Sequence, residues 1–224
     1  WSSDVCSSDL QKVDYWRAVG GLRGDFGAGG KWHYEAYGQY SKSVGRYRTQ
    51  QILQDVYDIS TQQGFGSLGS CVGMITPISK KQCIDLPWTD PNFLAGQMTQ
   101  QQIDFLFSWE EGKTTYTQLS GEASVSGELF KLPGGPLGIA FGVTGRQDKI
   151  NDVPGAITLA GNAWGASTSG ITKGRQETYE AFGELNVPLL KDVTLIKELT
   201  FSLAGRVTNV KSVRASDGKS FSDN

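Results

Sequence analysis

The chain holds one histidine, His33, and little excess of charge of either sign: 21 Lys and Arg stand against 23 Asp and Glu, a formal net charge of -2. With a single imidazole, any Ser/His/Asp triad would have to run through His33, which sits beside Glu35 on a polar stretch and reads as a surface side chain. The lack of a basic stripe removes the electrostatic footprint that nucleic acid requires. No segment approaches the roughly 20 apolar residues of a membrane-crossing helix, because the best run, 137–143, is short and interrupted by Gly138 and Gly142. Any membrane span would have to be built from strands.

Chemistry-bearing motifs are equally scarce. Gly64-Phe65-Gly66-Ser67-Leu68-Gly69 spells a dinucleotide fingerprint, but no strand precedes it and Pro77 soon follows, so it reads as a glycine-rich loop. Gly27-Ala28-Gly29-Gly30-Lys31 is similar to a phosphate loop, yet Asp25 stands where the first glycine belongs and Trp32 where Ser or Thr belongs; it reads as a turn. No motif sets two carboxylates for acid/base work, and Glu110 and Glu111 read as a solvated rim ahead of a strand. The expectation is a non-enzyme without catalytic residues, cofactor or metal site.

What the chain does have is glycine (29 residues), aromatics (11%) and alternation. Over 113–130, Thr114, Tyr116, Gln118, Ser120, Glu122 and their successors fall on one side, and Thr115, Thr117, Leu119, Gly121, Ala123 and theirs on the other. This period of two marks a strand with two chemically different faces. The same split recurs over 32–42 and 199–207, and more loosely over 15–26, 137–147 and 177–187, giving six candidate strands. Several match the roughly 9–11 residues that a tilted strand needs to cross a bilayer. Their connections alternate between tight (27–31 and 131–136) or shorter (188–197) and long (44–112 and 148–175), the layout of outer-membrane barrels with periplasmic turns and extracellular loops. Tyr15, Trp16, Phe26, Trp32, Tyr40, Tyr116 and Phe130 near strand ends suit two interfacial girdles, or else the core of an ordinary sandwich. The fold expected is all-β, an antiparallel up-and-down transmembrane β-barrel, partial, of about six strands with long extracellular loops.

Within the longest connection, Thr99 and Gln102 fit a capping box, with Met98 and Ile103 placed as a hydrophobic staple, predicting a short helix through Phe107. Ile52, Leu53, Val56 and Tyr57 have helical spacing, predicting a second helix over 49–58. Residues 1–10 (Trp-Ser-Ser-Asp-Val-Cys-Ser-Ser-Asp-Leu) look like a translated sequencing-adapter oligonucleotide, an artefact set aside from fold reasoning together with Cys6.

The stretch Tyr15-Trp16-Arg17-Ala18-Val19-Gly20-Gly21-Leu22-Arg23-Gly24 followed by Trp32-His33-Tyr34-Glu35-Ala36-Tyr37 resembles early barrel strands of TonB-dependent receptors. So do 137–146, Gly161-Asn162-Ala163-Trp164-Gly165, 179–190 and 199–206, which together span most of 14–210. The resemblance implies a barrel of about 22 strands, plugged by a separate domain on which an inner-membrane TonB protein pulls to release a scarce nutrient, such as an iron chelate, cobalamin or an oligosaccharide. Nothing here resembles the plug or the TonB-contacting segment, so residues 11–224 are expected to be an internal barrel fragment. Expected partners are outer-membrane lipid, a small-molecule nutrient and, through the missing plug, TonB; nucleic acid is not one. A passive pore or autotransporter-type barrel, and a soluble β-sandwich carbohydrate-binding module, stay open as alternatives. On an oxidising cell surface Cys71 and Cys83 would close a loop as a disulfide, the alternative being two unrelated thiols. Because the family's extracellular loops contribute ligand contacts, the loop aromatics Trp88, Phe93, Trp109 and Trp164 are the candidate ligand-contacting residues, with packing of the loop itself the competing role.

Overall fold

The computed structural model describes residues 10–28, 31–62, 70–165 and 170–214, and the backbone alone of 220–223. Six long strands, β1 (Leu10–Phe26), β2 (Trp32–Ile52), β3 (Phe107–Leu132), β4 (Gly135–Val153), β5 (Thr172–Val193) and β6 (Ile196–Arg214), are joined by the short β7 (Ser220–Asp223). They form one antiparallel up-and-down sheet in the order β1-β2-β3-β4-β5-β6-β7, in which β1 and β7 are not paired with each other. The fold is all-β. No described helix is long and apolar enough to cross a membrane, which says nothing of strands.

Two compact units divide the chain. The first comprises Trp1–Asp14, Val44–Thr114 and Asp152–Thr172; the second comprises Tyr15–Ser43, Thr115–Asn151 and Lys173–Asn224.

The second unit is two-faced sheet. The β5–β6 register pairs Ala181 with Val207, Leu185 with Leu203 and Val187 with Phe201, while Glu180 meets Thr208, Phe182 meets Arg206 and Asn186 meets Ser202. Side chains alternate across a strand, so the first set shares one face and the second set the other. On the polar face a relay of hydrogen bonds crosses four strands. The Arg17 guanidinium donates to Gln39, Gln39 Nε2 to Gln118 Oε1 (3.0 Å), Gln118 Nε2 to Asp148 Oδ1 (3.0 Å), and Arg146 Nε to Asp148 Oδ2 (2.6 Å). The Tyr116 hydroxyl also donates to Asp148, and that of Tyr37 to Glu122 Oε2 (3.0 Å). His33 Nδ1 lies 2.8 Å from Asp25 Oδ1 on the same face, exposed. At Gly142 a Cβ would fall 2.2 Å from the Phe182 ring, so only glycine lets that ring lie across β4.

The opposite face carries large apolar side chains that stand exposed among the described residues. Leu22, Phe141, Val143, Phe201, Leu203 and Val207 are each more than half exposed. Aromatics cluster on this face too, Trp16 against Tyr40 (5.1 Å between centroids) and Phe26 against Trp32 (6.0 Å).

The first unit holds the only hydrophobic core cluster found among the described residues. Leu53, Val56, Cys71, Cys83, Leu86, Phe93, Phe105 and Leu106 are buried, with Ile52, Ile59, Trp88 and Met98 packed around them. α1 (Gln54–Gln62), α2 (Pro91–Leu94), α3 (Gln100–Leu106) and α4 (Ala156–Leu159) lie in the two long connections. Asp90 caps α2, with Pro91 in its first turn, and α3 has the expected capping box: Gln102 N donates to Thr99 Oγ1 and Thr99 N to Gln102 Oε1 (2.8 Å).

Several boundaries differ from expectation. The helix expected over 49–58 begins at Gln54, because Thr49 to Ile52 extend β2, where β-branched residues suit a paired strand. Glu110 is buried at 2% exposure rather than solvated, its carboxylate accepting from Thr158 N (3.3 Å). The connection expected over 188–197 shrinks to Thr194 and Leu195, since Pro188 stays in β5 at a register shift, the place where a strand tolerates proline. Leu10, set aside with the N-terminal artefact, opens β1; residues 1–9 and the glycine-rich 64–69 lie outside the described residues, as do Gly29 and Gly30 of the first turn.

Because Phe93 is 2% exposed at the centre of the first unit, Phe93→Ala should cost that unit about 3–5 kcal/mol. Hydrogen exchange should show amides of α1 and α3 losing protection while those of β5 and β6 keep theirs; uniform loss would mean that the two units unfold together.

Candidate functional site

The first unit is tied together by one carboxylate. Asp55, in the first turn of α1 and 4% exposed, accepts from Ile78 N (2.9 Å) and Ser79 N (2.6 Å) at Oδ2, and from Ser79 Oγ (3.2 Å) and Asn162 Nδ2 (2.9 Å) at Oδ1. Asn162 answers by accepting from the backbone N–H of Asp55 (2.9 Å). Three segments distant in sequence thus meet at one side chain whose acceptor capacity is well used. Burial alone would raise the Asp55 carboxyl, but the bonds from Ser79, Asn162 and Ile78 outweigh it and hold the group below its ordinary value.

Lys81 closes the end of α3. Its ammonium donates to the carbonyl oxygens of Asp104 (2.6 Å), Phe105 (3.1 Å) and Phe107 (2.9 Å), satisfying carbonyls that a helix C-terminus leaves free. Burial pushes this ammonium down from its usual value, against the pull of Asp55 and Asp104. Between these anchors the chain joins Cys71 to Cys83 in a disulfide, with Cα atoms 5.7 Å apart and both residues buried.

Against this frame lies a row of rings. Trp164 packs on Tyr57 (5.2 Å), Tyr57 on Trp88 (5.6 Å, edge-on) and Trp88 on Phe93 (5.3 Å, edge-on). Trp88 Nε1 donates to Ser60 Oγ (3.1 Å), and Trp164 N to Ile52 O (2.9 Å). Three of the four aromatics singled out from sequence therefore come together, graded from Phe93 in the core to Trp164 at 42% exposure. The fourth, Trp109, is not a loop residue, because β3 already begins at Phe107; it stands apart at 38% exposure with the Arg48 guanidinium 4.2 Å over its ring, and Arg48 also pairs with Glu111 (3.3 Å).

The sequence did not point to Tyr57, Asp55 or Asn162 as partners. Tyr57 showed only as part of a helical spacing, and no local signal marks an Asp–Asn contact across 107 positions. Chemically the row offers apolar ring faces and edges. Among the described residues no three His, Cys, Asp or Glu lie close enough together to hold a metal ion.

Asp55→Asn would set an amide N–H against donors and should cost the first unit about 2–4 kcal/mol. In the parent, the folded pKa lies below the unfolded one, so the Asp55 contribution is complete above about pH 4 and is lost as pH falls through the lower folded value. Tryptophan fluorescence followed during acidification should show that transition in the parent and a flattened one in the variant. An equal acid response in both would remove Asp55 as its source. No family model, curated protein or solved structure matches the chain.

Proposed function

We propose that this chain is part of an outer-membrane receptor for the energised uptake of a scarce nutrient, of the TonB-dependent kind. The observation that carries the reading is the exposed apolar face of the second unit, set back to back with a polar face crossed by side-chain hydrogen bonds. Monomeric soluble proteins seldom expose continuous apolar patches beyond about 300–600 Å², and each half-exposed Leu, Phe or Val moved into hydrocarbon gains on the order of 1 kcal/mol. A lipid-facing strand has these two faces, apolar outward and polar toward a wet lumen. In β6 the apolar positions run from Leu199 to Val207, a span close to the roughly 9–11 residues of a tilted crossing strand. Inside the sheet, backbone pairing between neighbouring strands meets the other demand of hydrocarbon, that N–H and C=O groups be satisfied; the outer edge of β1 is not paired among the described residues and calls for a further strand.

The folded long connections support a receptor over a simple channel, because ligand contact calls for side chains held in place. Trp164, Tyr57 and Trp88 are the exposed or half-buried rings on offer there; stacking on an aromatic face suits planar or ring-shaped nutrients.

In lipid vesicles, single cysteines at Leu203 and Val207 should resist a water-soluble maleimide while those at Ser202 and Arg206 react. Equal reactivity at all four would sink the membrane reading. Uptake by cells carrying the parent gene should stop when the inner-membrane potential is dissipated; continued uptake would leave a passive pore instead.

A further inference from the structure

The outward face of the second unit does not stay apolar along its strands. On β5 it passes from Val187, Leu185 and Tyr179 to Glu177, Arg175 and Lys173, and on β6 from Phe201 and Val207 to Asn209 and Lys211. β4 follows the same course, from Phe141 and Val143 to Gln147 and Lys149. Where the change occurs a groove of about 380 Å³ opens, its surface mostly apolar, with Ile150, Gly174 and Val213 among its lining beside the basic residues Lys149, Lys173 and Arg175. Arg175 is held by Glu177 (3.3 Å), itself bonded to Gln147 (2.9 Å), whereas Lys149 and Lys173 have no ion pair among the described residues and are exposed.

We propose that this groove binds the phosphate headgroup of an anionic lipid of the membrane in which the sheet sits, an inference that rests on the membrane reading above. Two ammonium groups without an ion pair among the described residues, and a guanidinium, supply charge beside the groove, whose apolar surface takes the start of the acyl chains. The adjoining apolar strand positions give the acyl chains a surface continuous with the groove. This continuity favours a lipid over a free anion, since only an amphiphile uses both halves.

The test uses the full chain in nanodiscs of phosphatidylcholine mixed with phosphatidylglycerol, insertion being followed by tryptophan quenching with brominated phosphatidylcholine. Native mass spectrometry should find phosphatidylglycerol retained in preference to phosphatidylcholine. Lys149→Glu with Lys173→Glu should insert equally and lose that preference by at least about tenfold, and Lys149→Arg with Lys173→Arg should keep it. Insertion without preference, or a preference unchanged in the Glu variant, would overturn the headgroup site and leave the membrane reading standing. Failure to insert would overturn that reading and this proposal with it. Displacement of the lipid by millimolar inorganic phosphate, with phosphate binding in lipid-free detergent, would reassign the groove to a free anion.

Discussion

The second unit depends on cross-strand register. With a side-chain period of two, a slip of one residue along any strand would carry its apolar set to the polar face and its polar set to the apolar one. The relay from Arg17 through Gln39 and Gln118 to Asp148 needs four strands in register at once. A slip would break the relay and expose its amide and carboxylate groups on the other side. Polar partners across strands therefore specify alignment, a part that the apolar residues, exposed on the other face, cannot play. The Gly142–Phe182 contact adds a steric check, because any neighbour of glycine in that position would drive a Cβ into the ring.

The first unit solves a different problem. Long connections lose entropy when their ends are held by paired strands, and a structureless one of this length would be unusual in a folded domain. Here the β2–β3 connection recovers that loss by building its own core from Leu53, Val56, Phe93, Phe105 and Leu106. Asp55 then makes the arrangement specific. A buried carboxylate with several donors is stable only where all of them arrive together, so the 76–81 turn, α1 and the Asn162 segment are ordered jointly or not at all. The disulfide shortens the freedom of the unfolded connection between Cys71 and Cys83, acting on the state that competes with folding.

Strand existence and face assignment were legible because alternation is local: the sides read at 113–130 and 199–207 are the ones the hydrogen bonds and the β5–β6 register separate. The α3 capping box was legible for the same reason, all its determinants falling within Thr99 to Ile103. What the sequence hid is non-local. Thr49 to Ile52 carries a helical spacing that continues into α1, yet pairing in the sheet overrides it. Glu110 looks like a solvated charge until the 152–172 segment brings Thr158 N to its carboxylate. Of the candidate site, the rings were visible as types and their assembly was not: Trp88 and Trp164 meet only through Tyr57, placed by a helix whose start sequence alone misjudged.

The two faces of the second unit also differ along their length, and that difference bears on what covers the apolar one. Over 176–186 the polar face of β5 keeps its character except at Phe182, with Gln176, Thr178, Glu180, Glu184 and Asn186 along it. The apolar face changes chemistry on neighbouring strands at matching positions, Tyr179 lying opposite Asn209 and Glu177 opposite Lys211 in the register. A sheet face buried against one more packed layer would need polarity to follow the irregular outline of that layer. A change aligned across β5 and β6, on one face only, with Tyr179 at the line, is what a planar boundary between hydrocarbon and water asks of the strands that cross it, since a tyrosine ring has an apolar body and a polar tip. The boundary thus joins the strand-level alternation to the proposed function: on that reading the period of two would divide lumen from lipid, and the aligned change would mark where the membrane ends.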